Sequence, residues 1–487
     1  MTQRSRALAV ALVAVMVAAT ARAAVLTVGP GGSHHTIQAA IDVALANGED
    51  DEIRVQAGTY RENLTLAMAS GSLLISGGWN SKFDCGCGET RVDADRRGRA
   101  LALQVSGGSL AVRKMGFIQG VDTGSVGKPG FGGGIKAAIS GGTVTIADCA
   151  VRDNAAGAPG RDAMGGGIGV ELTGSGRLRL TGNEIADNRV SDGLTYGAGM
   201  YLVSRATSDG ASFEIDGNHI MDNRGISRSD LDPACGSDPQ HCAGWLGASW
   251  GGGILVELPD DGGHTVGEVN DNLVEDNRLE MDRDPVGNVR ATAIDVRSTG
   301  LGNQTTLLRN HFLDNSGSGS SFVQVMLAAL HGSLIRFGDS VVADSNVGGM
   351  YAGNVGEGTV LLTNLTIADN RGWVGLAVNP WRNSFPPRFG PSLFSLANSI
   401  ILSPNGVPLL NLVDEEGTSF VMTSTTVGKR LDVKFRNKAG RDYRLTRRSI
   451  AVDKGKPNPP GGLGPSDVVG GPRKRGRSVD QGAYESY

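Results

Sequence analysis

The sequence has few aromatic residues and no long hydrophobic run beyond its N-terminus. Phe, Trp and Tyr make up only 5% of its 487 residues. Hydrophobic residues, at 39%, are too many for a disordered chain and too evenly spread for a multi-span membrane protein. The Gly-X-Y period of collagen is also absent. A globular or solenoid protein remains.

Common catalytic signatures are missing as well. The sequence contains no Gly-x-Ser-x-Gly, no His-Glu-x-x-His and no Gly-Lys-Ser/Thr motif. Its seven His residues are scattered, although His219 and His311 occupy the same repeat position. Two repeats separate them, which disfavours a shared metal ion. The sequence therefore predicts an architecture more directly than a reaction.

Glycine is abundant, with 74 residues, about twice the usual share. Helical bundles avoid so much Gly, whereas the tight turns of β-solenoids and barrels use it. A solenoid of this length can remain one continuous core.

A six-residue motif recurs along the chain, with an apolar third residue and a closing Asp-Asn in every copy. The six copies are 149–154, 183–188, 218–223, 272–277, 310–315 and 365–370, and a weaker copy is 339–344. Gly clusters and alternating, strand-like segments precede the early copies. Three short strands and no helix in a repeat of this size predict one coil of a parallel β-helix, with stacked Asn side chains in its turns.

The predicted organisation has four parts. Residues 1–23 are a signal peptide, 24–52 an N-terminal cap, 53–428 the β-helix, and 429–487 a basic C-terminal segment with a closing motif. Within the cap, Thr36–Leu45 places Ile37, Ala40, Ile41 and Ala44 on one helical face. Such a helix would cover the open end of the apolar column.

The N-terminus has the pattern of an export signal. Arg4 and Arg6 precede an apolar run over 7–20, and Ala21-Arg22-Ala23 provides a small-x-small cleavage site. The run is too short to span a bilayer, and a buried N-terminal helix is the alternative. We expect a secreted, periplasmic or cell-envelope protein with no transmembrane segment in the mature chain.

Charge is distributed unevenly along the chain. The formal net charge is −4, but residues 429–477 carry +11 and residues 24–428 carry −16. The basic segment predicts contact with an anionic envelope surface, with a solvated tail as the alternative. Nucleic acid is not an expected partner, because the body is acidic and export is predicted.

The five cysteines suggest one disulfide. Cys235 and Cys242 bracket a short polar loop, and export would permit their pairing. Cys85 and Cys87, one residue apart, would pair only under strain, and metal binding with a distant His is the alternative for them. Cys149 belongs to the repeat and is predicted to be a small buried residue.

Four segments carry a resemblance to a known family, and they lie near both ends of the mature chain. Thr36–Asp42, Val55–Glu62, Ser76–Trp79 and Asp480–Glu485 resemble exported bacterial proteins of the pectin lyase-like superfamily. The resemblance implies an all-β, right-handed, single-stranded parallel β-helix with a short N-terminal capping helix. The superfamily includes polysaccharide lyases with Ca²⁺-binding carboxylates and hydrolases with a Gly-His-Gly element. This sequence contains no Gly-His-Gly.

Five aspartates share one position in successive repeats. They are Asp153, Asp187, Asp222, Asp276 and Asp314. Stacked coils would bring their carboxylates about 5 Å apart, which costs repulsion unless something compensates. One interpretation is that each carboxylate accepts the backbone N–H of its own turn. The other is an acidic row that holds Ca²⁺ or a basic partner surface.

Aromatic residues in two insertions suggest a binding site. Trp245 and Trp250 lie in the first insertion, and Trp373 and Trp381 lie beside Arg382 in the second. Exposed Trp can stack on sugar rings, while Arg supplies charge to uronates. The alternative is that Trp shields the side of the coil. We hypothesise that both insertions flank one groove for an extended glycan.

The sequence therefore predicts non-catalytic binding of a polysaccharide or another cell-surface polymer, with no assigned catalytic residue. A polysaccharide lyase or glycoside hydrolase acting on acidic polysaccharide is one alternative, and a structural envelope protein is another.

Overall fold

A computed structural model provides the structure of the chain. It describes residues 24–159, 161–191, 193–227, 251–281, 290–318, 322–355, 357–380, 392–403, 410–412, 418–428 and 432–486.

Three long parallel sheets run along the stack of coils, and each full coil contributes one strand to each sheet. Sheet 1 contains Val25–Val28, Asp51–Gln56, Ser72–Trp79, Ser109–Arg113, Thr143–Ala147, Arg177–Thr181, Ala211–Asp216, Thr265–Asn270, Gln304–Leu308, Leu334–Gly338, Thr359–Thr363, Ser392–Ala397 and Thr418–Thr423. Sheet 2 contains Leu64–Met68, Leu101–Val105, Ile135–Ile139, Ile168–Thr173, Met200–Arg205, Ile254–Leu258, Arg290–Ser298, Phe322–Leu330, Gly348–Val355, Leu376–Pro380 and Leu410–Leu412. Sheet 3 contains Gly58–Tyr60, Thr90–Asp93, Met115–Ile118, Ala150–Arg152, Glu184–Ala186, His219–Met221, Leu273–Glu275, His311–Leu313, Val341–Ala343, Thr366–Ala368, Ile400–Leu402 and Thr426–Gly428.

Two smaller parallel sheets lie between sheet 3 and sheet 2. Sheet 4 contains Val121–Asp122, Ala155–Ala156, Arg189–Ser191, Arg224–Ser227, Arg278–Met281 and Ser316–Gly317. Sheet 5 contains Gly130–Phe131, Ala163–Met164 and Thr195–Tyr196.

Neighbouring coils pair in register, so like residues stack on like. In sheet 2, for example, Ile135 pairs with Ile168 and Ile168 pairs with Met200, and all three are fully buried. Alternate residues of each strand therefore point into one apolar column that continues along the stack. The predicted parallel β-helix is confirmed.

The N-terminal helix is confirmed at Ile37–Asn47. The predicted apolar face is buried, and the side chain of Thr36 accepts a hydrogen bond from the backbone N–H of Ala39. The carboxylate of Glu62 accepts the N–H groups of Ile37 and Gln38, both at 2.9 Å. Sheet 1 begins earlier than the predicted boundary at residue 53, because Val25–Val28 already pairs with the next strand.

Two ladders of buried Asn side chains flank the short strands of sheet 3. One ladder contains Asn183, Asn218, Asn272 and Asn310, and the other contains Asn154, Asn188, Asn223, Asn277 and Asn315. Each amide donates to a backbone carbonyl, and all but the last of each ladder, Asn310 and Asn315, also donate to the equivalent Asn of the next coil. These bonds satisfy polar groups inside the turn. The predicted Asn stacking is confirmed.

The Gly clusters serve the sharp corner that leads into sheet 2. Gly165 has a φ of +64°, and a Cβ there would lie 2.3 Å from the carbonyl oxygen of Ile168. No other residue type fits that corner without displacement of the backbone.

The C-terminal segment folds back onto the outer face of sheet 3. A hairpin of Phe435–Asn437 and Asp442–Leu445, joined through a 3-10 helix at Lys438–Gly440, packs with the closing motif on apolar residues of that face. These are Leu313, Val341, Ala343, Ala368, Ile400 and Leu402. In the closing motif, Gly482 N–H donates to the carbonyl of Asn398 at 2.7 Å, and Ala483 N–H donates to Thr366 Oγ1 at 3.0 Å.

The basic C-terminal segment, which ends in the run Arg473-Lys-Arg-Gly-Arg477, is therefore not simply a solvated tail. The Arg473 side chain is 4% exposed, and its Nε lies 2.9 Å from Asp339 Oδ1. Its Nη1 lies 3.5 Å from Glu485 Oε1. A buried charge needs such partners, so Arg473 fastens the closing motif to the β-helix.

The cysteine pairing differs from the sequence-based expectation. Cys85 and Cys87 form a disulfide with their Cα atoms 5.4 Å apart, within a turn in which Gly86 pairs with Trp79 in an antiparallel bridge. Cys235 and Cys242 lie outside the described residues. The predicted burial of Cys149 is confirmed. Among the described residues, no helix has the length and apolarity needed to cross a membrane.

Candidate functional site

The predicted aspartate row lies along the corner between sheet 3 and sheet 4. Each of the five residues follows a strand of sheet 3 and has a φ between 53° and 56°. Asp and Asn tolerate this left-handed conformation better than most residues. The backbone conformation of the turn therefore explains why Asp recurs there.

The first interpretation, in which each carboxylate accepts the backbone N–H of its own turn, does not hold for this row. Among the described residues, Asp153, Asp187, Asp222 and Asp276 accept no hydrogen bond from a turn N–H. Burial and then the neighbouring aspartates raise the pKa of Asp187, and burial and then Asp314 raise that of Asp276. No group of three or more His, Cys, Asp or Glu in the described part of the chain is arranged to hold a metal ion.

The C-terminal end of the same row is neutralised by the protein itself. Arg441 of the hairpin forms an ion pair with Asp314 and lies 3.5 Å from Glu275. Lys438 Nζ lies 2.7 Å from a carboxylate oxygen of Asp369, the equivalent residue of a later coil. A groove of about 380 Å³ adjoins the ion pair of Asp314 with Arg441. It is lined by Asp222, Arg224, Asp276, Arg278, Asp314 and Ser316.

The two histidines at equivalent positions have separate partners. His219 Nε2 lies 2.9 Å from Glu275, and His311 Nε2 lies 3.1 Å from the hydroxyl of Tyr484. Leu273 separates them in sheet 3. They do not converge on one site.

Most of the predicted aromatic site lies outside the described residues, namely Trp245, Trp250, Trp381 and Arg382. Trp373 is described. It is half-buried against the outer face of sheet 2, and its indole N–H is buried with no hydrogen-bond partner among the described residues.

One end of each insertion adjoins a strand of sheet 2. Residues 228–250 lead toward the strand Ile254–Leu258, whereas residues 381–391 follow the strand Leu376–Pro380. The strands of sheet 2 are parallel, so one insertion adjoins the N-terminal ends of these strands and the other adjoins their C-terminal ends. Sheet 2 is therefore the sheet that both insertions adjoin, and its outer face is the candidate site.

Aromatic side chains cover part of that outer face. The ring centroids of Phe131 and Tyr201 are 5.7 Å apart in an edge-to-face arrangement, and those of Tyr196 and Tyr201 are 6.2 Å apart. Lys136 Nζ lies 5.7 Å from the centroid of the Phe131 ring. Phe131 fits here because Gly169 has no Cβ, which would lie 2.7 Å from its ring.

A charged cluster adjoins these rings. The Tyr201 hydroxyl donates to Glu257 Oε2 at 2.6 Å, and Arg297 Nη2 donates to Asp295 Oδ2 at 2.8 Å. Arg297 Nη1 also lies 3.9 Å from Glu257 Oε1. Sheet register explains the cluster, because Glu257 pairs with Arg297 across neighbouring strands.

The two acids of this cluster, Asp295 and Glu257, differ in how far they are buried. The Asp295 side chain is fully buried, and burial raises its pKa to about 6 although Arg297 acts in the opposite direction. The Glu257 side chain keeps 26% of its surface exposed. Asp295 therefore positions Arg297, while Glu257 has surface available to a ligand.

Sequence reasoning missed this cluster, because none of its residues belongs to the Asp-Asn motif. A signal is nonetheless present in the strand Arg290–Ser298, where Asp295 and Arg297 alternate with buried Ile294 and Val296. Two opposite charges on the outward positions of a covered strand indicate a polar network on that face.

No protein-family model matches the sequence, and no curated protein matches it.

Proposed function

We propose that the protein is an exported β-helix that binds an extended glycan or cell-surface polymer along the outer face of sheet 2, without catalysing a reaction. The observation that carries this proposal is the continuity of aromatic and charged side chains from Phe131 to Arg297 on one face. Buried Tyr196 and Tyr201 hold the half-buried Phe131 ring, and Lys136 and Glu257 provide charge beside it. The face extends over five coils, about 19 Å at the usual strand spacing.

The proposal is tested by binding measurements on the full mature chain with uronate-rich and neutral polysaccharides. Combined Phe131→Ala and Lys136→Ala substitution should weaken binding at least about tenfold, since a stacked ring and a charge are both lost. Lys82→Ala, which removes an exposed Lys in the turn after the sheet 1 strand Ser72–Trp79, is the matched control and should leave affinity unchanged. Unchanged affinity of the double variant would overturn the location, and no binding to any polymer would overturn the function.

A second candidate, a polysaccharide lyase or hydrolase, is favoured by the contact between Tyr201 and Glu257. A carboxylate that accepts from a buried hydroxyl next to a fixed guanidinium provides groups that can move protons. The test is a depolymerisation screen that follows unsaturated products and new reducing ends. Product that disappears in Glu257→Gln would establish catalysis and overturn the non-catalytic proposal. No product from any polymer would remove the enzymatic candidate.

The proposal also includes export of the protein and its relationship to the pectin lyase-like superfamily. The Arg-flanked apolar N-terminus supports cleavage before Ala24. The parallel coil with its N-terminal helix supports kinship with the pectin lyase-like superfamily. Intact-mass analysis of protein recovered outside the cytoplasm should give a chain that begins at Ala24, and an uncleaved chain there would contradict this part.

A further inference from the structure

A Cys-Gly-Cys turn stands apart from the proposed binding face. It lies between the sheet 1 strand Ser72–Trp79 and the sheet 3 strand Thr90–Asp93. Cys85 and Cys87 are joined as a disulfide, and both residues are exposed. An exposed disulfide is open to attack by thiols from solution.

The disulfide adds little to the fold. It closes a loop with only Gly86 between the two cysteines, and the chain entropy that a bridge removes decreases with loop length. Backbone hydrogen bonds already fix the turn, because Asn80 N–H donates to the Cys85 carbonyl and Gly88 N–H donates to the Gly78 carbonyl, both at 2.8 Å. The turn therefore has a scaffold in either redox state.

A groove of about 370 Å³ lies beside one of the two sulfurs. Cys87 lines it together with the small residues Gly88, Gly116 and Ala150. These residues leave room for a chain that carries a thiol. Lys114, Glu89 and Asp148 line the same groove. A nearby cation favours the thiolate form of cysteine, and the two carboxylates act in the opposite direction.

We propose that Cys85 and Cys87 form a thiol–disulfide exchange site whose substrates are dithiols, or pairs of thiols, that enter this groove. A substrate thiolate attacks Sγ of Cys87, the Cys85–Cys87 bond breaks, and Cys85 leaves as a thiolate that takes up a proton. A second substrate thiolate then attacks the substrate sulfur of the mixed disulfide and releases Cys87. Two electrons pass from two substrate thiols to the protein disulfide, and the reverse exchange with a low-molecular-weight disulfide regenerates it.

The first test measures redox equilibrium on the full mature chain in mixtures of reduced and oxidised glutathione. Free thiols are alkylated and located by peptide mapping, which separates this pair from Cys235 and Cys242. We expect reversible two-electron exchange at Cys85 and Cys87 in the folded protein, with buried Cys149 unmodified. A pair that stays fully oxidised while the protein remains folded in excess reduced glutathione would overturn the proposal.

The second test measures whether the groove beside Cys87 increases the rate of thiol–disulfide exchange. Exchange should be at least about tenfold faster than with an oxidised peptide of the sequence Asp84–Glu89, since the groove presents Cys87 to the incoming thiol. Glutathione and an unfolded two-cysteine peptide serve as separate substrates and distinguish small from polypeptide thiols. Cys85→Ser leaves Cys87 as a free thiol, which should form a stable mixed disulfide with oxidised glutathione and release one reduced glutathione, and Lys114→Gln should slow exchange. A rate equal to that of the peptide for both substrates would overturn the assigned site.

Discussion

Replacement of Asn223 by Ala tests whether the buried Asn ladders hold the coils together. The Asn223 side chain is fully buried and makes four hydrogen bonds. Its Oδ1 accepts from the backbone N–H and the side-chain amide of Asn188, at 3.1 Å and 3.0 Å. Its Nδ2 donates to the carbonyl of Ile185 at 2.8 Å and to Asn277 Oδ1 at 2.9 Å.

The Ala variant leaves two donors of Asn188 buried without an acceptor. An unsatisfied buried group costs about 1–3 kcal/mol, so the free energy of unfolding should fall by about 2–6 kcal/mol. Each coil contacts only its neighbours, so the effect should be local and largest in the strands around residues 184–186 and 273–275.

Urea unfolding gives the total loss, and amide hydrogen exchange locates it. Asp222→Asn is the matched control, because this adjacent residue is exposed and Asn tolerates its φ of 54°. A loss below about 1 kcal/mol for Asn223→Ala, or a loss of protection spread evenly along the stack, would refute the reasoning.

Three further predictions concern charge and conformation. Asp187→Asn should raise the melting temperature slightly at pH 7 because it removes repulsion, whereas Asp187→Ala should cost about 1 kcal/mol in unfolding free energy because of its φ of 56°. Burial raises the pKa of Glu485 to about 8, so the folded protein binds more protons than the unfolded chain between about pH 4.5 and 8. Stability should fall as pH rises through that window, and urea titrations should show a weaker dependence for Glu485→Gln. Glu62→Ala should lower unfolding free energy by about 1–2 kcal/mol and speed amide exchange in the helix Ile37–Asn47.

Each of these predictions has an opposing outcome. Equal melting temperatures for Asp187→Ala and Asp187→Asn would contradict the conformational role of that residue. A stability profile for Glu485→Gln that matches the native one would show that this carboxyl does not titrate in the stated window. Unaltered exchange in the helix after Glu62→Ala would contradict its capping role.

The coil could be predicted from the sequence because the backbone conformations and buried positions that it requires are local and recur in successive repeats. In the central coils, each short strand of sheet 3 lies between two left-handed residues and two buried ladder positions, as in Gly182-Asn183 and Asp187-Asn188. Such a turn accepts few residue types, so the requirement appears directly as a repeated motif.

Other features were not predictable because they depend on distant partners. One Asn ladder continues from Asn315 to Asn370 only because Gln324, from a strand of sheet 2, bonds to both. The closing motif bonds to Thr366, more than 100 residues earlier. The pairing of Glu257 with Arg297 depends on the register between two strands separated by residues outside the described structure. A pattern within one repeat contains none of this information.

The charge asymmetry of the chain is partly resolved within the molecule. Lys438 and Arg441 pair with the acidic corner of the β-helix, and Arg473 is buried between Asp339 and Glu485. Cations that are engaged in this way hold the C-terminal segment on sheet 3 and cannot also attract a distant surface. Contact with an anionic envelope surface, which the sequence predicts for this segment, would therefore involve its exposed residues Lys474 and Arg477. Replacement of Lys474 and Arg477 by Gln should weaken salt-dependent adhesion to anionic vesicles without a change in unfolding free energy, because both residues are exposed and the buried Arg473 stays in place.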